Sequence, residues 1–413
     1  MTLGRNYRRL WTGSAFSNLA DGVFQVALPL LALRITRSPA QIAGVALAAR
    51  LPWLVFALHA GALADRLDRR RTMVNVDVAR VALIATLAAI AAFEAERLWI
   101  LYLIAFALGI GETIFDTAAQ SVMPMVVDRD DLSRANSRLF AAEMTMNRFV
   151  GPPVGGLLAG VAMALAFASS AVGYLFAAAA IALMSGRFRP SRGSVRPPRL
   201  RTDIREGLRY LFRHRLLRTL AFMVGVMNLS IMASLAVFPV FAVSPGPMGL
   251  SGFGFGLLLT GGAVGSLVGS FAVPHIEKRL GRARTLRVAV VASSGACAAP
   301  LLTHPLLVGG AFVLVGIGEM CWDVITVSLR QRLAPEQLLG RVNAGYRLVG
   351  YGTMPVGAAL GGVLGEALGL RWVFRIGAIA NLLLLLCMRL VTDEEMEAAD
   401  TAAHDVQPRL GDD

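Results

Sequence analysis

The sequence predicts an all-α integral membrane protein with twelve transmembrane helices, arranged as two six-helix bundles related by a parallel internal repeat. Three observations carry that expectation. The chain has 413 residues, 56% hydrophobic and only 16% charged, whereas soluble domains carry about 25% charged residues. A bilayer core of about 30 Å needs about 20 apolar residues per helix, and such runs recur twelve times. Arginines gather between alternate runs, and stretches of the first half reappear in the second.

The runs lie near 11–33, 40–64, 73–93, 98–122, 138–162, 165–185, 219–243, 252–276, 286–303, 305–329, 343–367 and 371–390. Arg5, Arg8 and Arg9 precede the first. That run is too long for the apolar region of a signal peptide and lacks a small-residue cleavage site, so it is read as a retained helix. The expected organisation is a bundle at 1–185, a linker at 186–218, a second bundle at 219–391 and an acidic tail at 392–413.

Charge gives the orientation. The formal net charge is +13, and every basic residue except Lys278 is arginine. Of the 40 basic residues, 32 lie at the N-terminus or in the segments after even-numbered spans, while the opposite loops hold only Arg34, Arg37, Arg97 and Arg371. The positive-inside rule then places both termini in the cytoplasm of a cell or inner membrane. Nucleic-acid binding needs a continuous basic face, so no nucleic-acid partner is expected. Cys297, Cys321 and Cys387 fall inside apolar runs, with no disulfide or zinc spacing. No metal and no cofactor are expected.

The linker opens with Arg187, Pro190, Arg192, Arg196, Pro197 and Pro198, which read as an extended segment. Leu200, Ile204, Leu208, Leu211 and Phe212 then recur at helical spacing among Arg201, Arg205, Arg209 and Arg213. That pattern predicts an amphipathic helix on an anionic inner leaflet, its start capped by Asp203 and Glu206. The acidic tail after Val391 is read as disordered.

The repeat is explicit. Gly109-Ile110-Gly111-Glu112 with Asp116 returns 207 residues later as Gly316-Ile317-Gly318-Glu319 with Asp323. The same offset takes Arg134 and Asn136 to Arg341 and Asn343, and an offset of 213 takes Arg66, Arg69, Arg71 and Thr72 to Arg279, Arg282, Arg284 and Thr285. Near 210, Asn18 and Pro29 fall on Asn228 and Pro239. Six helices repeated in parallel are the plan of a secondary transporter with its site between the halves.

Gly61, Asp65, Arg66, Asp68, Arg69, Arg70 and Arg71 form a string that resembles the loop signature of the major facilitator superfamily. Asp68 departs from the glycine usual there, and Asp tolerates a left-handed backbone better than most residues. The resemblance runs to about Val391 and is closest to bacterial drug, macrolide and siderophore exporters. It implies that Asp65 and the Arg66–Arg71 cluster steady one side of an alternating-access cycle by touching neighbouring helix ends. Asp77 and Arg80, read as lying near the inner end of span 3, would extend that network. Gly151, Pro152, Pro153, Gly155 and Gly156 resemble the motif associated with antiporters of this superfamily. Prolines remove backbone donors and glycines admit a neighbouring helix, which suits a hinge or seal.

Ionisable groups at bilayer depth mark function by default. Asp21, Arg50 and Arg148 are read near mid-depth, with Asp21 pairing Arg50 or Arg148, and Glu112, Asp116 and Glu143 nearer the inner side. Gln25 and Asn147 are expected to line a substrate cavity, with Asn18, Asn228, Trp322 and several methionines as further candidates. In the second half only Glu319 and Asp323 repeat the acids of span 4. The expected function is proton-coupled export of amphipathic small molecules by a chain working as a monomer, with import or facilitated passage as the alternative. The scattered histidines form no catalytic motif, so the chain is not read as an enzyme.

Overall fold

A computed structural model describes residues 3–64, 67–186, 188 and 200–398. Among them the chain is helical almost throughout. The helices are α1 Arg5–Ile35, α2 Pro39–Ala64, α3 Arg69–Ala92, α4 Leu98–Val126, α5 Leu132–Glu143, α6 Gly151–Val161 and α7 Met163–Ala182 in the first half. After the linker come α8 Leu200–Arg213, α9 Arg215–Ala242, α10 Gly252–Leu280, α11 Arg282–Ala298, α12 Pro305–Leu333, α13 Glu336–Leu368 and α14 Leu370–Cys387.

Eleven helices are long and apolar enough by themselves to cross a membrane, among the described residues. The remaining expected span, near 138–162, is helical without a gap but is not one α-helix. α5 and α6 are joined by a π-helix at Met144–Val150. Pro152 and Pro153 cannot donate backbone hydrogen bonds, and Gly151 N–H reaches back to Met146 O, one residue beyond α-helical reach. Twelve crossings therefore hold, with the fifth locally rewound.

Helix starts follow from short polar residues. Ser38 Oγ accepts from Gln41 N–H at 3.3 Å at the head of α2, and Asp68 Oδ1 accepts from Arg71 N–H at 3.1 Å at the head of α3. Between apolar helices in a bilayer the driving force is close packing rather than water expulsion. The sequence meets it with small residues: a Cβ on Gly151 would lie 2.6 Å from Gly22 Cα, so α1 and α6 meet backbone to backbone only because both positions are glycine.

The chain divides into two compact units, Met1–Ser194 with Phe238–Ala263, and Val195–Val237 with Val264–Asp413. In the first, α3 and α1 both pack on α7, α2 packs on α4, and α6 packs on α1. In the second, α11 packs on α12 and α14, and α13 on α14, repeating the α3–α4 and α3–α7 pairings. The division does not follow the expected boundaries: Phe238–Ala263, the end of α9 with the first part of α10, groups with the first unit, and the expected linker is split between Ser194 and Val195. Arg37, in the α1–α2 turn, donates to Val243 O at 3.2 Å and Ser244 O at 2.7 Å. Gly156 and Pro152 of α6 lie directly against Gly252 and Gly256 of α10.

Two expectations are corrected in the second unit. The Leu208 and Leu211 part of the apolar stripe of α8 is covered by protein rather than by lipid alone. Leu211 is fully buried and Leu208 packs with it among Val342 and Tyr346, while Gly207 lies against the Arg341 backbone. Glu206 receives Arg341 Nη1 at 2.5 Å, and the Asp203 side chain lies outside the described residues. An amphipathic stripe specifies that something apolar covers it, not what. The tail is ordered at its start: residues 393–398 are helical, with Val391 and Met396 fully buried.

Candidate functional site: a buried charge cluster in the first unit

The glycines of the repeated Gly-Ile-Gly-Glu string open the space in which the cluster sits. Gly109 faces Ala49 and Pro52 of α2, and Gly111 faces α3, where a Cβ would come within 3.0 Å of Arg80 Nε. Arg80 therefore lies flat against α4. Its guanidinium carbon is 5.4 Å from the Phe115 ring centre and 5.1 Å from that of Tyr174, both within the range of a cation–π contact. The side chain is only 2% exposed.

Three helices bring polar groups to this arginine. From α3 itself, Asp77 Oδ1 lies 3.5 Å from Arg80 Nη1, one turn away and fully buried. From α1, Ser17 Oγ accepts from Nη1 at 3.1 Å, and Asp21 Oδ2 stands at 3.9 Å. From α7, the Tyr174 hydroxyl donates to Asp21 Oδ1 at 2.5 Å. Arg80 Nε and Nη2 and Asp77 Oδ2 make no hydrogen bond among the described residues. Glu112 and Asp116 on α4 lie within electrostatic reach of Asp21 and Arg80, and Glu112 also of Arg50.

The arginine that Asp21 meets is thus Arg80, not Arg50 or Arg148. Arg80 stands eleven residues into α3, about 16 Å along its axis, so it reaches the level of Asp21. It does not extend the basic loop near the inner end. Counting from the loop places the residue, but only the rotation of α3 towards α7 decides which neighbour it faces. Tyr174 and Phe115 carry the site and escaped the sequence reading. The available signal was a lone tyrosine on the alanine-rich α7, whose counterpart 207 residues on is Asn381.

The second unit holds the neutral version of this arrangement. Ser293 stands at the position of Arg80 by the 213 offset and donates to Asn381 Oδ1 at 3.1 Å. Gly318, like Gly111, faces the third helix of its half, here at Ala289 and Ala292. Glu319 is partly buried and Asp323 exposed, and Asp323 lies within electrostatic reach of Arg330. Trp322 is not cavity-lining in this unit; it is buried and donates to Tyr346 Oη at 3.2 Å.

The remaining candidates fall as follows. Gln25 Nε2 donates to Asn147 Oδ1 at 3.1 Å, so α1 grips the π-helix by side chains next to the Gly22–Gly151 contact. Glu143 immediately precedes the π-helix and Arg148 lies within it, and both are exposed. Gly155 lies against Val23, so the antiporter-type string is a packing face for α1 and α10 together. In the loop signature, Asp65 and Arg66 lie outside the described residues, and Gly61 closes α2 within a stretch whose side chains are not described. Arg69 Nη1 lies 3.0 Å from Met125 Sδ near the end of α4. Arg70 Nη2 donates at 2.5 Å to Ala182 O, the last residue of α7, where a cation complements the helix dipole. Arg71 is exposed.

A twelve-span helical protein with a pseudo-repeated core and charges buried at mid-helix has the build of a secondary transporter, not of an enzyme. The comparisons place it more closely. The chain matches the transmembrane secretion effector family over residues 4–411 and belongs to that family of major facilitator transporters. It is 30% identical over 384 residues to the multidrug efflux pump Tap of Mycolicibacterium fortuitum, covering 88% of this chain and 90% of that one. It is 22% identical over 395 residues to macrolide efflux protein A of Streptococcus pyogenes, covering 92% and 94%. Among solved structures, a bacterial homologue of the iron transporter ferroportin in its inward-facing state matches at TM-score 0.70 with 18% identity, covering 94% of this chain and 98% of that one. The nucleoside transporter NupG, as a D323A mutant, matches at TM-score 0.74 with 11% identity, covering 93% and 99%. The protein is therefore a multi-pass transporter of the cell membrane that handles a small molecule.

Proposed function

We propose that this chain is a proton-driven exporter of amphipathic organic molecules, working as a monomer by alternating access. One observation supports the coupling above all: Asp21 and Asp77 share the single guanidinium of Arg80. Ionising both acids leaves one uncompensated negative charge among apolar helices, and such a charge is costly enough that the group neutralises instead. The cluster is therefore built to hold a proton, and Asp21, the more exposed acid at 15% against 0%, is the one that exchanges it. Tyr174 orients Asp21, while Glu112, Asp116, Glu143, Arg50 and Arg148 set the surrounding field.

Export follows from the names carried by the related efflux proteins and from the Gly151–Gly156 string that resembles the antiporter motif. The arginine count supports a cytoplasmic location for both termini and the basic loops. Arg205, Arg209 and Arg213 recur every four residues on the exposed side of α8, with Phe212 49% exposed beside them. That face suits an anionic inner leaflet, while the opposite face packs on α13. The Arg69–Met125 and Arg70–Ala182 contacts support a latch role for the loop signature.

The test is uptake of a lipophilic fluorescent cation into inverted vesicles under an imposed acid-inside gradient. Accumulation that collapses with a proton–potassium exchanger is expected. Accumulation indifferent to the pH gradient sinks the coupling, and uptake only in right-side-out vesicles sinks export.

A further inference from the structure

The two halves cap their third helices by different means. In the first, the cap of α3 is local: Asp68, with φ −70° and ψ 110°, accepts from Arg71 N–H. By the 213 offset its counterpart is Gly281, which has no side chain and adopts φ 77°, ψ 166°, a conformation open to glycine. The missing carboxylate arrives from the far end of the chain. Asp393 Oδ1 accepts from Ala283 N–H at 2.9 Å at the head of α11, and a Cβ on Gly281 would lie 3.0 Å from Asp393 Oδ2.

The segment that delivers Asp393 is anchored on both sides. Val391 and Met396 are fully buried in the same apolar core as Leu216, Leu286 and Met388. Thr392 Oγ1 accepts from Glu395 N–H at 3.2 Å, and Glu395 meets Arg215, the first residue of α9, at 3.9 Å. One short segment thus ties the starts of α9 and α11 to the end of α14. Arg282 Nε donates to Glu277 Oε1 at 3.1 Å and pins the intervening loop.

We propose that Val391–Ala398 is a clasp that makes α9, α11 and α14 move as one body and thereby sets the rate of the transport cycle, with Asp393 as its positioning residue. A transporter that rocks its bundles needs each to stay rigid at the end where it opens. The first half has that rigidity in its own loop, whereas the second borrows it from the chain terminus. The clasp requires only that the chain transports; it does not rest on the proton reading.

The experiment uses full-length protein in proteoliposomes, with substrate counterflow, which needs no pH gradient, and hydrogen exchange over 282–286. Asp393→Ala is expected to speed exchange there and slow counterflow about fivefold, the effect of losing one cap, with the half-saturating concentration unchanged. Asp393→Asn keeps an accepting oxygen and is expected to behave like the parent in both measurements. Exchange unchanged in Asp393→Ala overturns the cap; faster exchange with parental counterflow overturns the clasp. Should Asp393→Ala fail to reach the membrane, a protease site inserted between the exposed Leu390 and Val391 releases the segment from folded protein. Slower counterflow after cleavage supports the clasp, and unchanged counterflow overturns it.

Discussion

Tyr174 meets both charges of its site with one side chain: its hydroxyl donates to Asp21 at 2.5 Å while its ring lies 5.1 Å from the guanidinium carbon of Arg80. The two contacts separate cleanly by mutation. Tyr174→Phe removes the hydrogen bond and keeps the ring. A hydrogen bond to a charged group contributes about 1.5–3 kcal/mol to stability, so the melting temperature should fall measurably, and gradient-driven uptake should fall with it because Asp21 loses its orienting partner. Tyr174→Leu removes the ring as well and should lower both, measured on the same purified protein.

Asp21→Asn and Asp77→Asn each leave Arg80 one carboxylate, and each single change should insert and fold. The double change strands a buried guanidinium, which costs about 3–5 kcal/mol, and its stability loss should exceed the sum of the singles. Only Asp21→Asn should abolish pH-driven uptake while sparing substrate binding. Equal transport loss in both single variants would spread the proton over the pair instead.

Gly22 and Gly151 hold α1 and α6 in backbone contact. Gly22→Val forces a branched side chain onto the Asn147 carbonyl, and overpacking of this kind costs about 1–3 kcal/mol. A lower detergent melting temperature and reduced yield are expected. Parental values would mean that the two helices part freely there.

His214, between α8 and α9, stacks on Tyr210 with ring centres 6.4 Å apart, and its Nδ1 is buried without a hydrogen bond among the described residues. Burial holds its pKa below the usual 6.5. A depressed folded pKa for a base means that the unfolded segment binds the proton more readily. The stability it carries is therefore present above about pH 6.5 and lost as pH falls below it. Protection factors over 205–218, with the intrinsic pH dependence of exchange divided out, should fall on acidification in the parent and stay flat in His214→Phe.

Much of the fold was legible because a bilayer imposes length, apolarity and arginine bias on every span. The π-helix was not, since Pro152 and Pro153 announce a disturbance without saying whether the helix kinks or rewinds. Gln25 and Asn147 were named separately and prove to touch. Asp21 was found by its depth, yet its partner was misassigned, because one sequence fixes the level of a residue and leaves helix rotation free. Arg80 was visible, but it was read with the loop rather than with the core. The start of the tail was misread from composition: Met396 is one apolar residue among acids, too little to raise mean hydropathy and enough, with Val391 before it, to seat a turn of helix.

The π-helix also marks an edit between the halves. Ahead of it, Asn136 corresponds to Asn343, 207 residues on; behind it, Gly155 against Val23 corresponds to Gly361 against Ala233, 206 residues on. The first half therefore carries one residue more than α13, which runs unbroken from Glu336 to Leu368. One residue is about 100° of helical rotation. Deleting a single position within Met144–Val150 would leave α6 seated on α1 and turn everything before it, Glu143 included, by more than a quarter circle. The span is a dial with one extra notch, and its setting decides which way the acid at its mouth points.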